Sequence, residues 1–470
     1  MSSGQAAAAL RAALDARGLD GSRPLEFLSF DTCLMAGNEV AYELRDLAKV
    51  YLANAELDFG DGWDYQATLT WLAAHRDATP RAFGEAEVGH WDAHHRTAGN
   101  DDKLLRAHAA IDLAAYDGYV TAFADLTTAL MSSETIDPYE VGRAQYASAP
   151  GYGGDFTQPD AFPALRDAGQ LLDGLAGVTT DATVAARAAA ARSALQAATF
   201  RTSRGTLRSA GGQAAFHLES PLAAGWADRR GAYLGLGWNQ ATGWSDLLDG
   251  MATFADDVAP AVETSLQNGQ SPTTADPPLL TLASQDGDLA EARVFLAESI
   301  GGTTVLYGVI GFGAVEPDTT YQFAWEGRQL VLGDGTEQAY VTVLPWTGGT
   351  SPIFIAPGQL SADGDTVEAY AVLDPSTADV TTILIQVDGR IASLPTASLR
   401  GVTFTPAVWD LGTNQYLPDT PLLIPDVPGA ALSLDAVQAT PGDYHLVTAM
   451  TDLWGNTGSS TEDVTVTAPF

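Results

Sequence analysis

The stretch Leu25-Glu-Phe-Leu-Ser-Phe-Asp-Thr-Cys-Leu-Met-Ala-Gly-Asn-Glu-Val-Ala-Tyr-Glu-Leu44 contains the only cysteine of the chain. The apolar run Leu25–Phe30 predicts a buried strand, and apolar residues at helical spacing from Val40 to Ala48 predict a helix immediately after Cys33. A thiol in that position lies where α/β sheets bind ligands, and the positive end of the helix favours its thiolate. The pattern therefore predicts a reactive cysteine, with a buried and inert one as the alternative.

Helices and strands alternate over the first half of the chain. The spacing of apolar residues predicts a helix over residues 3–17, a strand starting at Val50, and mostly helical structure over residues 65–200. A further strand is predicted at Ala107–Leu113. This alternation is typical of an α/β domain, so we predict a mostly parallel sheet flanked by helices over residues 1–255.

The second half of the chain has a different composition. The stretch Ser265–Pro278 is polar and rich in Pro, Thr and Asn, which favours a linker over residues 256–278. Short alternating runs separated by Gly, Asp and Pro then predict all-β, sandwich-type modules. We expect a β-rich domain over 279–360 and an immunoglobulin-like sandwich over 361–470, the latter from the tyrosine-then-strand pattern of Pro441–Met450. No catalytic constellation is evident here, so the expected role is packing or adhesion.

Charge restricts the partners of this chain. Its 470 residues carry a formal net charge of −36, from 59 acidic and 23 basic side chains. Such a field repels nucleic acid and anionic lipid and attracts cationic substrates. No apolar run approaches the roughly 20 residues of a membrane helix. We therefore expect no nucleic-acid partner and no membrane span.

Several motifs recur in order around the cysteine. Phe30-Asp-Thr-Cys-Leu-Met35, Glu39–Leu44 and Gly60-Asp-Gly-Trp-Asp-Tyr65 together resemble the clostripain family of cysteine peptidases, which belongs to the same broad clan as the caspases. Later landmarks of the family's catalytic domain are Ala109–Asp112, Gly154–Phe156, Ala215–Pro221 and Trp244–Leu248. The resemblance covers residues 1–255. It implies a caspase-like fold, here with its first strands missing, and a thiol endopeptidase in which Cys33 is the nucleophile.

Acidic residues beside the nucleophile point to the substrate. In clostripain-like enzymes the aspartate matching Asp31 lines the primary specificity pocket, which implies polypeptide substrates cleaved after Arg or Lys. A carboxylate in a narrow pocket binds a guanidinium through charge-assisted hydrogen bonds. Asp61 is the second predicted substrate-binding residue, from the acidic loop that also holds Glu56, Asp58 and Asp64. This loop has two other interpretations, a calcium site and ordinary acidic surface. We expect no cofactor, with calcium left open.

The resemblance also predicts a histidine that this chain lacks. Thiol nucleophiles work with a histidine base, which in caspase-type sequences lies about 50 residues upstream. Only 32 residues precede Cys33, and none is His. We expect the histidine on an upstream strand ending in His-Gly, in a longer sequence or in a separate light chain. The chain alone is then expected to be inactive. No signal peptide is present, yet the family implies a secreted or cell-surface protein.

None of the seven histidines fits the missing role, because none follows a strand in a His-Gly loop. His90 and His94 share a helical spacing, with His95 adjacent, so a structural metal is an alternative to the expected solvated helix face. The rival function is a non-catalytic binding or adhesion protein that carries a degenerate peptidase-like domain. A redox role for Cys33 is less favoured, because no second cysteine is available to resolve a sulfenic acid.

Overall fold

The computed structural model describes two compact units, one ending at Asp256 and one beginning at Asp257. The sequence placed this boundary between residues 255 and 256. The described residues are 3–19, 21–56, 62–97, 106–134, 138–147, 152, 165–205, 217–219, 226–253, 258–270, 272–315, 319–345, 354–362, 364–374, 376–387, 390–427 and 430–468.

The helices described all belong to the N-terminal unit, apart from a short 3₁₀ helix at Thr396–Ser398. They are α1 (Ser3–Asp15), α2 (Asn38–Leu44), α3 (Tyr65–Ala74), α4 (Pro80–Thr97), α5 (Leu113–Ser132), α6 (Pro138–Ala147), α7 (Ala168–Val178), α8 (Ala182–Ala198), α9 (Trp226–Tyr233), α10 (Gly237–Thr242) and α11 (Trp244–Ala252). The predicted first helix is confirmed by α1, which ends two residues earlier than expected. No helix in the described part of the chain is both long and apolar enough to cross a membrane.

The strands of the N-terminal unit form two sheets. They are β1 (Leu25–Ser29), β2 (Ala48–Asn54), β3 (Ala107–Asp112), β4 (Leu165–Asp167), β5 (Thr199–Arg204) and β6 (His217–Glu219). The larger sheet has the order β1-β2-β3-β5, and β4 pairs with β6 in the smaller one. Of the described pairings in the larger sheet, only β1 with β2 is parallel, because β3 runs antiparallel to both of its neighbours.

The prediction of a mostly parallel sheet is therefore correct for strand direction and wrong for pairing. Strands β1, β2 and β5 run the same way, and β3 lies between β2 and β5 in the opposite sense. Helices α3 and α4 connect β2 to β3, and this two-helix connection returns the chain in the reverse direction. Strand direction depends on such connections, which apolar periodicity does not encode.

Burial distinguishes the central strand of this sheet from its edge. Every residue of β2 except Lys49 is buried, whereas β1 pairs only with β2 among the described strands and has no fully buried residue. The sequence predicted that β1 is buried, so this prediction is wrong for the described chain. Helix α4 covers one face of the sheet, where Val50 and Leu52 contact Phe83 and Trp91.

The C-terminal unit consists almost entirely of β-structure. Its strands are β7 (Glu263–Gln267), β8 (Leu279–Ala283), β9 (Leu289–Ile300), β10 (Thr303–Ala314), β11 (Tyr321–Ala324), β12 (Arg328–Gly333), β13 (Gln338–Tyr340), β14 (Leu344–Pro345), β15 (Phe354–Ala362), β16 (Asp365–Leu373), β17 (Val380–Val387), β18 (Arg390–Pro395), β19 (Thr403–Asp410), β20 (Gln415–Pro418), β21 (Leu422–Leu423), β22 (Ser433–Gln438), β23 (Gly442–Asp452) and β24 (Thr457–Val466). All the named pairings among these strands are antiparallel, as their alternating sequences predicted.

The large sheet of this unit crosses one predicted boundary, and a separate three-stranded sheet, β11-β8-β7, begins within the predicted linker. The large sheet runs β18-β17-β16-β15-β19-β10-β9-β23-β24, with β14, β20 and β21 attached at its sides. Strand β15 spans residue 360, where we expected two domains to meet, and β9 pairs with β23 across that division. The predicted linker over 256–278 contains β7, which pairs with β8. Pairing between strands distant in sequence joins the two predicted domains, 279–360 and 361–470. The spacing of turns in the sequence does not reveal such pairing.

Candidate functional site

Cys33 lies in the turn that follows β1, at the end of the sheet where β1 and β2 both finish. Its side chain is partly exposed. Helix α2 begins only at Asn38, so the thiol is not at a helix mouth and the predicted dipole effect on the thiolate is wrong. The dipole acts only within the first turn of a helix. The turn, rather than the helix, positions this cysteine.

Hydrogen bonds to β2 fix the backbone after the cysteine. Leu34 has a left-handed φ of +57°, which costs a non-glycine residue roughly 1–2 kcal/mol. Its N–H donates to the carbonyl of Glu56 at 3.1 Å, and the N–H of Ala36 donates to the carbonyl of Asn54 at 2.8 Å. The hydroxyl of Tyr51 donates to the carbonyl of Met35 at 2.7 Å. The turn is therefore held against the end of β2 in one shape.

Asp31 is exposed, and a second loop holds its carboxylate. The Tyr65 hydroxyl donates to Asp31 Oδ2 at 2.7 Å, and the Trp63 N–H donates to the same oxygen at 3.4 Å. Gly62 has a φ of +61°, and a Cβ built there would lie 2.8 Å from Asp31 Oδ2. Glycine at this position permits the close approach. The structure thus joins residues 62–65 to the residue two positions before Cys33.

The remaining acidic residues of the loop have separate positions. Asp61, the second predicted substrate-binding residue, lies outside the described residues, as does Asp58. Glu56 is buried, and Asp64 caps α3 by accepting a hydrogen bond from the Ala67 N–H at 2.8 Å. No group of three or more potential metal-ligating side chains comes together in the described part of the chain. The calcium interpretation of this loop stays a prediction.

The histidines of α4 differ in burial. His95 is fully buried, with its ring 4.4 Å from that of Trp91, and His90 shares a hydrogen bond of 3.2 Å with the Thr68 hydroxyl. The helix turns His95 towards the sheet, so the predicted solvated face is wrong for His95. Of these three histidines His95 is a packing residue, whereas His90 and His94 are half-buried.

The sequence interpretation missed a buried polar network beside the site. His108 of β3 lies directly opposite Asn54 of β2, and its Nδ1 is 2.7 Å from Asn54 Oδ1. Its Nε2 is 2.9 Å from Glu87 Oε2 on α4. The three side chains are at most 1% exposed. We call Asn54, Glu87 and His108 the buried histidine network.

Aromatic rings enclose this network. Trp91 stacks on His108 with ring centroids 4.8 Å apart, and Trp63 meets the same ring edge-on at 5.3 Å. Both ring nitrogens of His108 already face oxygen atoms, so the ring is not available as a base for Cys33. The signal that indicates the network is the presence of Asn54 and His108 within otherwise apolar strands.

Comparisons with known proteins agree with the sequence motifs. Residues 6–136 match the model of the clostripain family, and this segment includes Asp31 and Cys33. Among curated protein sequences, none matches this chain. The prediction of a clostripain-family resemblance is confirmed over the matched segment.

Solved structures are also matched. A clostripain from Bacteroides thetaiotaomicron ATCC 29148 in complex with a peptide inhibitor is 16% identical, with 52% of this chain and 94% of that chain covered and a TM-score of 0.37. A cysteine protease of B. fragilis has the same identity and coverage, with a TM-score of 0.35. A secreted C11 cysteine protease from Bacteroides thetaiotaomicron is 17% identical, covering 48% of this chain and 58% of its own, at a TM-score of 0.34.

Proposed function

We propose that this chain supplies the nucleophile of a cysteine endopeptidase that hydrolyses peptide bonds after Arg or Lys. The premise is the clostripain-family match over residues 6–136. The observation that carries the proposal is the arrangement at the end of β1, where a partly exposed thiol and an exposed carboxylate lie two residues apart in one turn that hydrogen bonds hold in place. Cys33 is the proposed nucleophile, and Asp31 is the proposed binding residue for the basic side chain.

The chemistry of Asp31 supports selection of a cationic side chain. Its carboxylate is oriented by the Tyr65 hydroxyl and the Trp63 N–H, which leaves Oδ1 to accept hydrogen bonds from a guanidinium or ammonium group. Asp61 is proposed as a second carboxylate for the same group. The net charge of −36 favours approach of basic polypeptides over long range.

In the proposed reaction the Cys33 thiolate attacks the scissile carbonyl carbon. The carbon–nitrogen bond breaks to give a thioester, the leaving amine takes a proton from a histidine, and water then hydrolyses the thioester. We propose that this histidine comes from an upstream segment or a separate light chain. No cofactor takes part in these steps.

The edge position of β1 supports this source of the histidine. Among the described strands β1 has a partner on one side only, and its apolar side chains are half-buried. A strand added parallel to its free edge ends at the same border of the sheet as Cys33, because parallel strands finish together. A residue just beyond that strand then reaches the thiol. We also propose that the complete protein is secreted or held at the cell surface.

The decisive experiment compares the chain with and without the upstream segment. A fluorogenic Arg peptide is the substrate, and we expect negligible hydrolysis by the chain alone and Cys33-dependent hydrolysis once the segment is added. Robust turnover by the chain alone that disappears in Cys33→Ala would refute the external histidine. Turnover by the complete protein that survives Cys33→Ala would refute the nucleophile. Failure of every form to cleave, with folding intact, would favour the binding or adhesion protein.

Specificity is tested with Asp31→Asn. We expect kcat/KM for an Arg peptide to fall roughly 10- to 100-fold, because a hydrogen bond to a charged group contributes about 1.5–3 kcal/mol. Asp15→Asn is the matched control, since Asp15 is also an exposed carboxylate of the same unit. Dialysis against EDTA, followed by addition of Ca²⁺, tests the expected independence of calcium in the same assay.

A further inference from the structure

The two loops of the candidate site rest on one buried residue. The turn after Cys33 is bonded to the backbone of Asn54, whose side chain is bonded to His108. The loop that holds Asp31 contains Trp63, whose ring lies edge-on against His108. His108 is thus in contact with both supports of the site without reaching its surface.

Chemistry distinguishes His108 from an ordinary core residue. Glu87 and His108 are 1% and 0% exposed, and a buried carboxylate is tolerated only with a hydrogen-bonded partner. The Glu87–His108 contact of 2.9 Å supplies this partner. With Asn54 on the other nitrogen and Trp91 stacked at 4.8 Å, the ring is held in position and in orientation.

We propose that His108 is a positioning residue for Arg/Lys selection, acting through Trp63 on the loop that holds Asp31. This inference rests on the function proposed above and deepens it. The Trp63 N–H and the Tyr65 hydroxyl contact the same oxygen of Asp31, and the Tyr65 N–H donates to the Trp63 carbonyl at 2.8 Å, so a shift of Trp63 is expected to move both donors. The turn after Cys33 is bonded to the backbone of Asn54 and not to its side chain, so the thiol is less affected. The role therefore concerns which side chain is recognised, rather than how reactive the sulfur is.

The test exploits the fact that Cys33 is the only thiol. The rate of its alkylation is measured with an arginyl and an alanyl peptidyl chloromethyl ketone, and with iodoacetamide as a measure of intrinsic reactivity. The selectivity is the ratio of the arginyl to the alanyl rate. In His108→Phe we expect this ratio to fall between about tenfold and about a hundredfold, the range that a misplacement of about 1 Å produces. The iodoacetamide rate is expected to stay at the wild-type value.

Further variants show whether the effect passes through Trp63. Trp63→Leu keeps the backbone N–H and removes the ring, so we expect a similar fall in selectivity. The double variant is expected to lose no more than either single variant, because residues acting through one contact are not additive. Additive losses of selectivity would show that His108 does not act through Trp63. His75→Phe is the matched control, since His75 is exposed and bonds to the carbonyl of Trp71 in its own helix.

Two further comparisons distinguish a failure of the His108 role from misfolding of the variant and from a failure of Arg/Lys selection itself. Glu87→Gln keeps the side-chain shape and removes the charge, so it gives a fall in the same ratio even if His108→Phe does not fold. A wild-type chain that prefers the arginyl reagent, with all folded network variants retaining that preference, would overturn the role of His108 alone. A wild-type chain without any preference would overturn Arg/Lys selection, and this inference with it.

Discussion

Each unit buries a carboxylate, but in different surroundings. In the N-terminal unit Glu87 pairs with His108 at the end of the sheet that carries Asp31 and Cys33. In the C-terminal unit Glu298 accepts hydrogen bonds from the Tyr307 hydroxyl at 2.6 Å and the Gln329 amide at 3.0 Å, between paired strands. Burial, and then Glu298, raise the pKa of the Tyr307 hydroxyl far above its usual range, so it stays a donor.

The comparison teaches that a buried acid is not itself a mark of function. Each carboxylate has a hydrogen-bond partner, as buried charges generally do, although Glu87 Oε1 has none in the described part of the chain. What differs is the connection: the network around Glu87 contacts loops that carry an exposed acid and a thiol, whereas the donors named for Glu298 belong to strands. Variants of the buried histidine network are therefore expected to change both stability and the candidate site, whereas variants around Glu298 are expected to change stability alone.

The largest expected effect is on stability in His108→Phe. Removal of the partner leaves Glu87 as an unpaired buried charge, which costs about 3–5 kcal/mol of the free energy of unfolding. Adding Glu87→Gln to this variant is expected to recover part of the loss. Denaturant unfolding with hydrogen exchange at β3 measures both. A double variant no more stable than the single one would show that the pair is not held by charge.

The next effect is expected in Tyr307→Phe, which removes one donor from Glu298. A hydrogen bond to a charged group contributes about 1.5–3 kcal/mol, and we expect the loss to appear as faster hydrogen exchange in β9 and β10. Labelling of Cys33 by the arginyl reagent is expected to be unchanged. A fall in that selectivity would break the distinction between the two clusters.

A smaller effect is expected from Gly62→Ala. The left-handed φ of +61° costs alanine roughly 1–2 kcal/mol, and the new methyl group would also displace the Asp31 carboxylate, 2.8 Å away. Gly18→Ala is the control, because Gly18 has a φ of +72° with no atom within 4 Å of the added Cβ. We expect both variants to lose stability and only Gly62→Ala to lose arginyl selectivity in the alkylation assay.

The smallest effects concern pH and have opposite signs in the two units. Burial raises the pKa of Asp92, but hydrogen bonds from Arg96 and Ser203 outweigh it and hold the pKa below its usual range. Burial raises the pKa of Asp452 above that range. Asp92 therefore adds stability above the unfolded pKa of about 3.9, and this is lost as pH falls through the folded value. At Asp452 stability falls as pH rises from the unfolded towards the folded value.

Local hydrogen exchange across this acidic range checks both signs. Asp92→Asn is expected to weaken the acid sensitivity of α4, and Asp452→Asn is expected to remove the loss of protection in β23 as pH rises. An unchanged pH profile in either variant would contradict the role of that carboxylate.

Sequence alone predicted the elements near the cysteine better than their arrangement. The strand before Cys33 and the acidic residue beside it follow from local apolar pattern and motif. The direction of β3 does not, since it depends on two intervening helices. The buried histidine network joins residues 54, 87 and 108, which come together only through sheet register and helix packing. The available signal was the presence of Asn54 and His108 within largely apolar strands, and this signal does not show which residues they contact.

Among the described strands one edge of β1 has no partner, and this edge bears on how copies of the chain behave towards one another. Strand edges with unsatisfied backbone groups tend to pair with edges of other molecules. The charge of −36 opposes such contacts, and dissolved salt weakens this repulsion within about 10 Å at 0.1 M. High ionic strength is therefore expected to promote self-association of the isolated chain, so a dilute, low-salt buffer is the better choice for storage.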